Sequence, residues 1–362
     1  MPDRVRGTFE DIVSPMMFRS FSDQLHVYGR QRLGRSTQLY EAAVEKVELW
    51  PAQLVEGAPA KVLDGQYERA VKGGFSRSKD VEIETLRGGP KMAGPTCMYR
   101  FRNITIARTW LTSRGRLEYF GYPGNELVLG RPRHFKTATL ASSFQGCRFF
   151  GHWLRDDCAT ALLPSEFDTR LAMTMPDWSD IPVYRRLFEQ RDAETVTHAV
   201  IDELIYFDDI YQNAHKVKRF ETLRETLRKH LTPKAEGRIV YIARGPSAKN
   251  RVFLNEPAVI EELSRHGIEI LFAESADSED FIRTLLDARL IISVEGSQLS
   301  HALYTLPRNG GLICIQPPDR MFTSHYDWAR VMGIDFGVVV GEQGEGGFTL
   351  PAEDILRTID LF

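Results

Sequence analysis

The pattern of apolar and polar positions divides the chain into a front region and two later regions. The first ~30 residues show no clear period, which favours an irregular arm. Residues 99–111 alternate between apolar and polar side chains, and residues 115–130 resemble two strands around a Pro-Gly-Asn turn. We therefore expect an N-terminal arm and β-rich region over residues 1–134.

Beyond residue 135, strand patterns alternate with helix patterns. Strands are predicted in TATLAS, TRLAMT and AVIDELIYF, and helices in GHWLRDDCATALLP and VYRRLFEQR. A longer amphipathic helix follows, and its apolar face consists of Val217, Phe220, Leu223, Leu227 and Leu231. This alternation indicates a first α/β unit over residues 135–232.

The last region has the clearest periodicity. Strands are predicted in GRIVYIAR, IEILFA, LIISVE and GLICIQPP, and the helices between them in NEPAVIEELSRHG, SEDFIRTLLDAR and QLSHALYTL. Because the strands are continuous apolar runs, they favour a parallel sheet that helices cover on both faces. We expect a second α/β unit over residues 233–362, and hence an α/β fold with an extra β-rich N-terminal part.

Composition and charge narrow the classes of partner. With 46 basic and 49 acidic residues the net charge is −3, which argues against nucleic-acid binding. No apolar run reaches the ~20 residues that a transmembrane helix needs, and the N-terminus does not resemble a signal peptide. The scattered cysteines form no CxxC pair and fit a reducing compartment, so we expect a cytoplasmic protein, peripheral at the inner membrane only through a substrate or partner. An oligomer is compatible with the sequence.

The predicted strand ends of the second α/β unit suggest a site for a nucleotide. Arg244 ends the first strand, and Glu295, Gly296 and Ser297 follow the third. Gly296 lets a phosphate approach the backbone, and the first amides of the next helix, near Ser297 and Gln298, lack intrahelical partners. The alternative is a tight strand-to-helix turn without a ligand. The sequence lacks GxGxxG and GxxxxGK[ST] motifs, which disfavours NAD enzymes and P-loop ATPases.

The basic loop RGPSAKNR extends this candidate site. It adds Lys249 and Arg251 to Arg244, and a guanidinium can bind a diphosphate through two parallel hydrogen bonds. The alternative interpretation is that the loop is simply solvated. Glu295 can accept hydrogen bonds from ribose hydroxyls.

A second group of candidate residues lies in FFGHWLRDD, residues 149–157. In a helix that starts near Gly151, His152 and Asp156 lie at positions i and i+4 and therefore on one face. Such a pair suits a general base, with either member as the base. The alternative is an ordinary helix start in which the histidine packs and the aspartate is solvated.

Acidic pairs raise the question of a metal. Asp156-Asp157, Asp208-Asp209 and the stretch DSED at 277–280 could bind Mg²⁺, although the last is explained more simply by Ser278 capping a helix. The histidines lack metal-ligand spacing. With Arg244 and the helix end near Ser297 supplying positive charge, we expect no metal requirement, and Mg²⁺ stays an alternative.

Three segments in the same order and at similar spacing resemble glycosyltransferase family 61, a family of capsule and polysaccharide loci. They are GHWLRDD, YIARGPSAKNRVFLNE and ARLIISVEGSQLSHALYTLPRNG. The resemblance implies a GT-B-like fold, in which two Rossmann-like units face a cleft, and inverting transfer from a nucleotide sugar, usually a UDP-sugar. It also implies that His152 and Asp156 lie on the acceptor side, and that Arg244, Gly296 and Ser297 face the donor diphosphate.

The chain departs from the family pattern at three positions. Phe149, Glu295 and His301 replace an asparagine, a histidine and an asparagine that are frequent in the family. These changes leave the phosphate-binding residues in place and affect the sugar and base. The predicted donor-binding residues are Arg244, Lys249, Arg251, Glu295, Gly296, Ser297, Gln298 and His301.

The expected function is inverting transfer of a sugar from a nucleotide sugar to a hydroxyl of a glycan or lipid-linked glycan, in bacterial surface-polysaccharide biosynthesis. Two alternatives stay open at this point. One is transfer of another group, such as phosphate, in the same cleft. The other is a non-catalytic nucleotide- or glycan-binding subunit of a polysaccharide assembly complex.

Overall fold

The computed structural model describes residues 15–35, 38–75, 77–120, 128–244, 251–273 and 277–362. The strands, numbered in chain order, are β1 (Glu45–Trp50), β2 (Gln53–Val55), β3 (Lys61–Val62), β4 (Lys91–Ala93), β5 (Thr96–Ala107), β6 (Trp110–Ser113), β7 (Arg116–Tyr119), β8 (Arg133–Leu140), β9 (Arg170–Ala172), β10 (Glu194–Thr195), β11 (His198–Asp208), β12 (Ile239–Ala243), β13 (Glu269–Phe272), β14 (Leu290–Val294), β15 (Gly311–Gln316), β16 (Asp335–Val340), β17 (Glu342–Gly344) and β18 (Gly347–Thr349). The helices are α1 (Pro15–Arg32), α2 (Lys79–Leu86), α3 (150–160), α4 (Asp180–Leu187), α5 (Ala214–His230), α6 (Glu256–Arg265), α7 (Ser278–Leu285), α8 (Ala302–Thr305), α9 (Ser324–Met332) and α10 (Ala352–Ile359). Within these ranges no helix is both long and apolar enough to cross a bilayer.

Unit 1 comprises Met1–Pro51, Pro95–Asp177 and Arg191–Ile210. Its sheet has the order β10-β9-β8-β11-β5-β6-β7, and β1 also pairs with β5. The strands from β10 to β11 are parallel, whereas β11 and β5 pair antiparallel, as do β5, β6 and β7. The inward faces of β5 and β11 are fully buried at Phe101, Ile104, Ile201 and Leu204, which anchors the core of this unit on its two longest strands.

Unit 2 comprises Ala52–Gly94, Trp178–Gln190 and Tyr211–Phe362. Its main sheet has the order β13-β12-β14-β15-β16-β3 and is parallel throughout. β14 and β15 are buried along their whole length. The prediction of a parallel sheet from continuous apolar strands is therefore confirmed.

The bounds of the two units differ from the predicted division at residues 134 and 232. β5, from the predicted β-rich region, pairs along ten residues with β11 of the predicted first α/β unit. Residues 61–62 form β3 and join the sheet of unit 2. Both pairings link residues far apart in sequence, so local periodicity carries no signal of them. The Pro-Gly-Asn turn, residues 123–125, lies outside the described residues.

The lead-in predicted as an irregular arm contains helix α1. Its buried side chains are Ser20, Gln24 and Val27, and two of these three are polar. The Ser20 hydroxyl lies 2.7 Å from His198 Nε2, and the Gln24 Oε1 accepts the Val128 amide at 2.9 Å. Because the buried face is mainly polar and hydrogen-bonded, the helix shows no apolar period. Residues 1–14 lie outside the described ranges.

Candidate active site

The carboxyl edge of the sheet in unit 2 carries the predicted donor-binding residues. β13 pairs with one edge of β12, and β14 pairs with the opposite edge. The direction in which strands are added to the sheet therefore reverses between β12 and β14. Arg244 directly follows β12, and Glu295 directly follows β14. Open α/β sheets bind ligands at such a switch point. The fold therefore brings these residues together where a ligand is expected.

Arg244 and Arg251 converge on Glu295. The Arg244 Nη1 donates to the backbone oxygen of Glu295 at 3.0 Å, and the Arg251 Nη1 donates to the same oxygen at 2.6 Å. The Arg251 Nε lies 3.1 Å from the Glu295 Oε2, as an ion pair without an aligned hydrogen bond. Lys249, the third basic residue predicted here, lies outside the described residues.

A third arginine, Arg320, joins this group, although no sequence motif singles it out. Burial lowers the pKa of both Arg244 and Arg251, and the charge of Arg320 adds to both shifts. Its guanidinium lies over the Phe75 ring, 4.9 Å from the centroid. Arg320 lies in the loop after Gln316, the last residue of β15. The sequence analysis considered only the residues directly at the strand ends. Had it included the loop that follows each strand, it would have found Arg320.

The arginine cluster, Arg244, Arg251 and Arg320, holds an excess of positive charge. Burial, reinforced by the charge of Arg251, lowers the pKa of Arg244 to about 10. Burial raises the pKa of Glu295, although all three arginines oppose that shift. The Nε atoms of Arg244 and Arg320 are buried and have no hydrogen-bond partner among the described residues. Glu256 also acts on Arg244, and Glu82, which pairs with Arg77, acts on Glu295. The three arginines still outnumber Glu295 and Glu256, and this excess favours binding of an anion.

The segment after the switch point is not the α-helix that the sequence predicts. Residues Ser297–His301 form a 3₁₀ helix, which continues into α8. The Leu299 amide donates to the Gly296 carbonyl at 3.1 Å, the i to i+3 bond of a 3₁₀ turn. The prediction of an α-helical N-terminus at Ser297 is therefore wrong, and arginine side chains supply the described positive charge.

Gly296 makes room for side chains of the protein itself. An ideal Cβ at this position would lie 2.4 Å from the Gln298 Oε1 and 3.0 Å from the Arg251 Nη1. Both atoms end flexible side chains. A methyl group at residue 296 would therefore displace the end of Gln298, and to a smaller extent that of Arg251, rather than the backbone.

Gln298 and His301, both predicted to bind the donor, are engaged within unit 2. The Gln298 Nε2 donates to the Val294 carbonyl at 2.8 Å and to the Ser293 hydroxyl at 3.2 Å, which fixes the strand-to-helix turn. His301 is buried, and its Nδ1 lies 2.7 Å from the Tyr184 hydroxyl. Contact of either residue with a donor stays a prediction.

The histidine–carboxylate pair predicted in unit 1 is present as a hydrogen-bonded pair. The His152 Nδ1 lies 2.9 Å from the Asp156 Oδ2. Arg155, which sequence reasoning missed, binds both oxygens of Asp156, with its Nε at 3.0 Å from Oδ1 and its Nη2 at 2.7 Å from Oδ2. The signal that could have found Arg155 is its position directly before Asp156 in the sequence.

The contacts of Arg155 bear on which of His152 and Asp156 is the base, a choice that the sequence left open. A bidentate guanidinium stabilises the ionised form of a carboxylate and makes it a weaker base. The Asp156 side chain is 5% exposed, against 18% for His152. The Arg155 Nη2 also lies 2.8 Å from the His152 Nδ1; this nitrogen accepts from Arg155 in one tautomer and donates to Asp156 in the other and in the imidazolium. His152 is the better placed base.

The middle of α3 has a π-helical turn, Trp153–Asp157. Such turns are frequent at functional sites. The carboxylate of Asp157, at its end, accepts the Ser143 amide at 3.2 Å. An ideal Cβ on Gly146 would lie 2.2 Å from the Asp157 Oδ2, so only glycine permits this approach.

The other acidic candidates have structural partners. Asp209 accepts hydrogen bonds from the hydroxyls of Thr96 at 2.7 Å and Thr160 at 3.0 Å. Asp277, rather than the predicted Ser278, caps α7 by accepting two of its backbone amides. Within the described ranges, no three His, Cys, Asp or Glu side chains are grouped as metal ligands. Metal independence of the reaction stays a prediction.

Comparisons with known proteins bear on these two regions. The family model of Glycosyltransferase 61 matches residues 150–313, a range that contains every predicted site residue. No curated protein matches the chain. Among solved structures, the E. coli heptosyltransferase WaaC with ADP is similar at 12% identity and a TM-score of 0.32, over 63% of this chain and 99% of that one. The family match confirms the resemblance of the three sequence segments: the chain is a glycosyltransferase, and residues 150–313 match family 61.

Proposed function

We propose that the chain is an inverting glycosyltransferase that moves a sugar from a nucleotide sugar, a UDP-sugar, to a hydroxyl of a glycan or lipid-linked glycan acceptor. We assign it to bacterial surface-polysaccharide biosynthesis in the cytoplasm, with its two units acting as the halves of a GT-B enzyme. The observation that carries the proposal is the arginine cluster at the switch point of unit 2.

In this proposal the arginine cluster binds the diphosphate of the donor. The guanidinium groups of Arg244 and Arg320 supply donors for phosphate oxygens. Their Nε atoms are buried and have no partner in the described chain. Negative charge grows on the departing diphosphate as the sugar–phosphate bond breaks, and fixed cations stabilise it. The hydrogen bonds to the Glu295 carbonyl orient two arginines before the donor arrives. The carboxylate of Glu295 accepts from ribose hydroxyls.

His152 removes the proton from the acceptor hydroxyl. The acceptor oxygen then attacks the anomeric carbon on the face opposite the diphosphate, so that one C–O bond forms as the other breaks and the configuration inverts. The proton stays on His152. Asp156 orients the imidazole and stabilises its charged form, and Arg155 holds Asp156 in place.

We propose that the reaction needs no metal, because the arginine cluster offsets the charge of the diphosphate. Turnover should persist in EDTA. Loss of activity in EDTA that Mg²⁺ restores would overturn this part of the proposal and point to Asp156-Asp157 or Asp208-Asp209 as ligands.

The test combines nucleotide binding with product analysis. A thermal-shift screen of nucleoside diphosphates and nucleotide sugars should show one selectively stabilising base, by about 2.7 kcal/mol at a hundredfold excess over Kd. Mass spectrometry of the reaction should show one nucleoside diphosphate released for each sugar added, and NMR should show an inverted anomeric centre. Transfer of a phosphate, or a retained configuration, would contradict the proposal.

A further inference from the structure

Helix α1 exposes apolar side chains and buries polar ones. Its buried side chains, Ser20, Gln24 and Val27, lie on one face. On the opposite face Phe18 and Leu25, at positions i and i+7, are 68% and 46% exposed. A helix that packs on one side only normally buries its apolar face and exposes its polar face to water. The reversed arrangement marks the outer face of α1 as a contact surface.

Four large side chains form an apolar row on this outer face. Phe18, Phe21 and Leu25 lie at helical spacing, and Leu33 extends the row directly beyond the last helical residue. All four are exposed, and three of them, Phe18, Leu25 and Leu33, line one open groove. A single exposed apolar side chain is ordinary, whereas a contiguous patch with polar groups at its edge marks an interaction site.

An arginine rim borders the apolar row. It consists of Arg32 in the last turn of α1, Arg35 just after the helix, and Arg114 between β6 and β7, and all three are exposed. Among the described residues that line the groove, Asp23 is the one carboxylate. It accepts a hydrogen bond from the Thr105 hydroxyl at 2.8 Å, and burial raises its pKa. The rim therefore outnumbers the carboxylate and carries net positive charge.

The other ionisable residues of the groove do not reverse this sign. Arg19 forms an ion pair with Asp202, at 3.2 Å, so the two charges offset each other. Arg30 and His26 are basic as well. The groove as a whole is apolar along the row and basic at its edges.

This combination matches the surface of an anionic bilayer. Phenylalanine and leucine side chains on one face of a helix enter the boundary between headgroups and acyl chains, and arginines beside them bind lipid phosphates. A second copy of the chain fits less well, because a two-fold interface would place the two arginine rims against each other. Charge therefore favours a membrane over self-association.

We infer that the outer face of α1 binds an anionic lipid bilayer, with the apolar row at the acyl-chain boundary and the arginine rim at the headgroup phosphates. The chain then binds the membrane through a surface of its own and not only through a substrate. The inference does not rest on the proposed function, since it involves neither the arginine cluster of unit 2 nor the His152–Asp156 pair.

The test measures binding of the full chain to vesicles in a flotation assay. The chain should bind vesicles of phosphatidylglycerol and phosphatidylcholine in equal amounts, and at least tenfold more weakly vesicles of phosphatidylcholine alone. Phe18→Gln and Leu25→Gln keep good helix formers in α1, and each should weaken binding tenfold or more. Arg32→Gln and Arg35→Gln should each weaken it about fivefold.

Matched controls come from unit 2. Leu54 and Met92 face each other on β2 and β4 and are 60% and 61% exposed, close to the exposure of Phe18. Leu54→Gln, Met92→Gln and Arg265→Gln should therefore bind vesicles like the parent. Circular dichroism should show the same helix content in all variants, which separates lost binding from lost folding.

Several outcomes would overturn the inference. They are no binding to the anionic vesicles, equal binding to both kinds of vesicle, or binding that the α1 variants weaken no more than the unit 2 controls do. A dimer in analytical ultracentrifugation that Phe18→Gln dissociates, without vesicle binding, would identify a second copy as the occupant instead. No nucleotide or sugar is present in these assays, so each outcome leaves the proposed function to its own test.

Discussion

The switch points of the two units occupy equivalent places in their sheets and carry opposite charge. In unit 1, four carboxylates and Arg170 line a cavity between the ends of β8 and β11. In unit 2, three arginines surround Glu295 between the ends of β12 and β14. Both regions follow the same topological rule, yet the ionisable side chains that line the first are mainly acidic and those that converge on Glu295 are basic.

This contrast separates the position of a binding site, which depends on the fold, from its charge, which depends on the side chains. The reversal of strand order sets where a ligand binds, whereas the sign of the local charge sets what class of ligand binds. The first of the following predictions changes one region and uses the other as an internal reference, and the two glycine substitutions change each region in turn.

The largest effect is expected from His152→Ala in unit 1. Without the base, kcat should fall by about 10²-fold or more, while UDP affinity stays unchanged, because the arginine cluster is untouched. His134 is a matched control, since it also pairs with a carboxylate, with its Nε2 3.0 Å from the Asp202 Oδ2. Initial rates of His134→Ala should stay near those of the parent.

Asp156→Asn tests whether Asp156 orients the imidazole while His152 acts as the base. It should lower kcat, because the imidazolium loses the carboxylate that orients it and stabilises its charge. Near-normal turnover in both His152→Ala and Asp156→Asn would remove this pair from the mechanism.

A smaller effect is expected from Arg320→Gln in unit 2. A hydrogen bond to a charged group contributes about 1.5–3 kcal/mol, so the Kd for UDP should rise by about 10- to 100-fold. Arg265→Gln is the control, because Arg265 is 61% exposed and pairs only with helix neighbours in the described chain. Calorimetric UDP affinities that are equal in the two variants would remove Arg320 from the site.

The sequence predicted this contrast only in part. The i, i+4 spacing of His152 and Asp156 and the apolar run before Glu295 are local patterns, and both features are present in the structure. Arg155 and Arg320 were missed because their roles depend on side-chain direction and on a loop that returns to the strand ends. Helix α1 was missed because hydrogen bonds, rather than apolar spacing, hold its buried face.

Two glycines give a matched pair of substitutions. At Gly146 a Cβ would meet the short, buried carboxylate of Asp157, so Gly146→Ala should lower the free energy of unfolding by about 1–3 kcal/mol. At Gly296 a Cβ would meet only the ends of Gln298 and Arg251, so the loss should stay under about 1 kcal/mol. Urea titration measures both values. Equal losses would contradict the view that the Asp157 carboxylate is held more rigidly than the ends of Gln298 and Arg251.

The smallest effect concerns the pH dependence of stability at His301. Burial lowers the pKa of His301 below its ordinary 6.5, although Asp180 opposes the shift from 4.0 Å. Above pH 6.5 the imidazole is neutral in both the folded and the unfolded chain, and its full contribution to stability is present. As the pH falls below 6.5 the unfolded chain takes up the proton first, so stability is lost, by at most about 1.4 kcal/mol per pH unit.

His301→Asn removes this titration and keeps a polar side chain beside the Tyr184 hydroxyl. Its free energy of unfolding should therefore vary less with pH below 6.5 than that of the parent, whatever its absolute value. His266→Asn, at a position that directly follows α6 and whose side chain is 49% exposed, should retain the parent slope. Denaturant titrations of the three proteins across this range decide the matter: parallel curves would mean that His301 titrates as if in water, and that the segment after the switch point opens to solvent in the folded state.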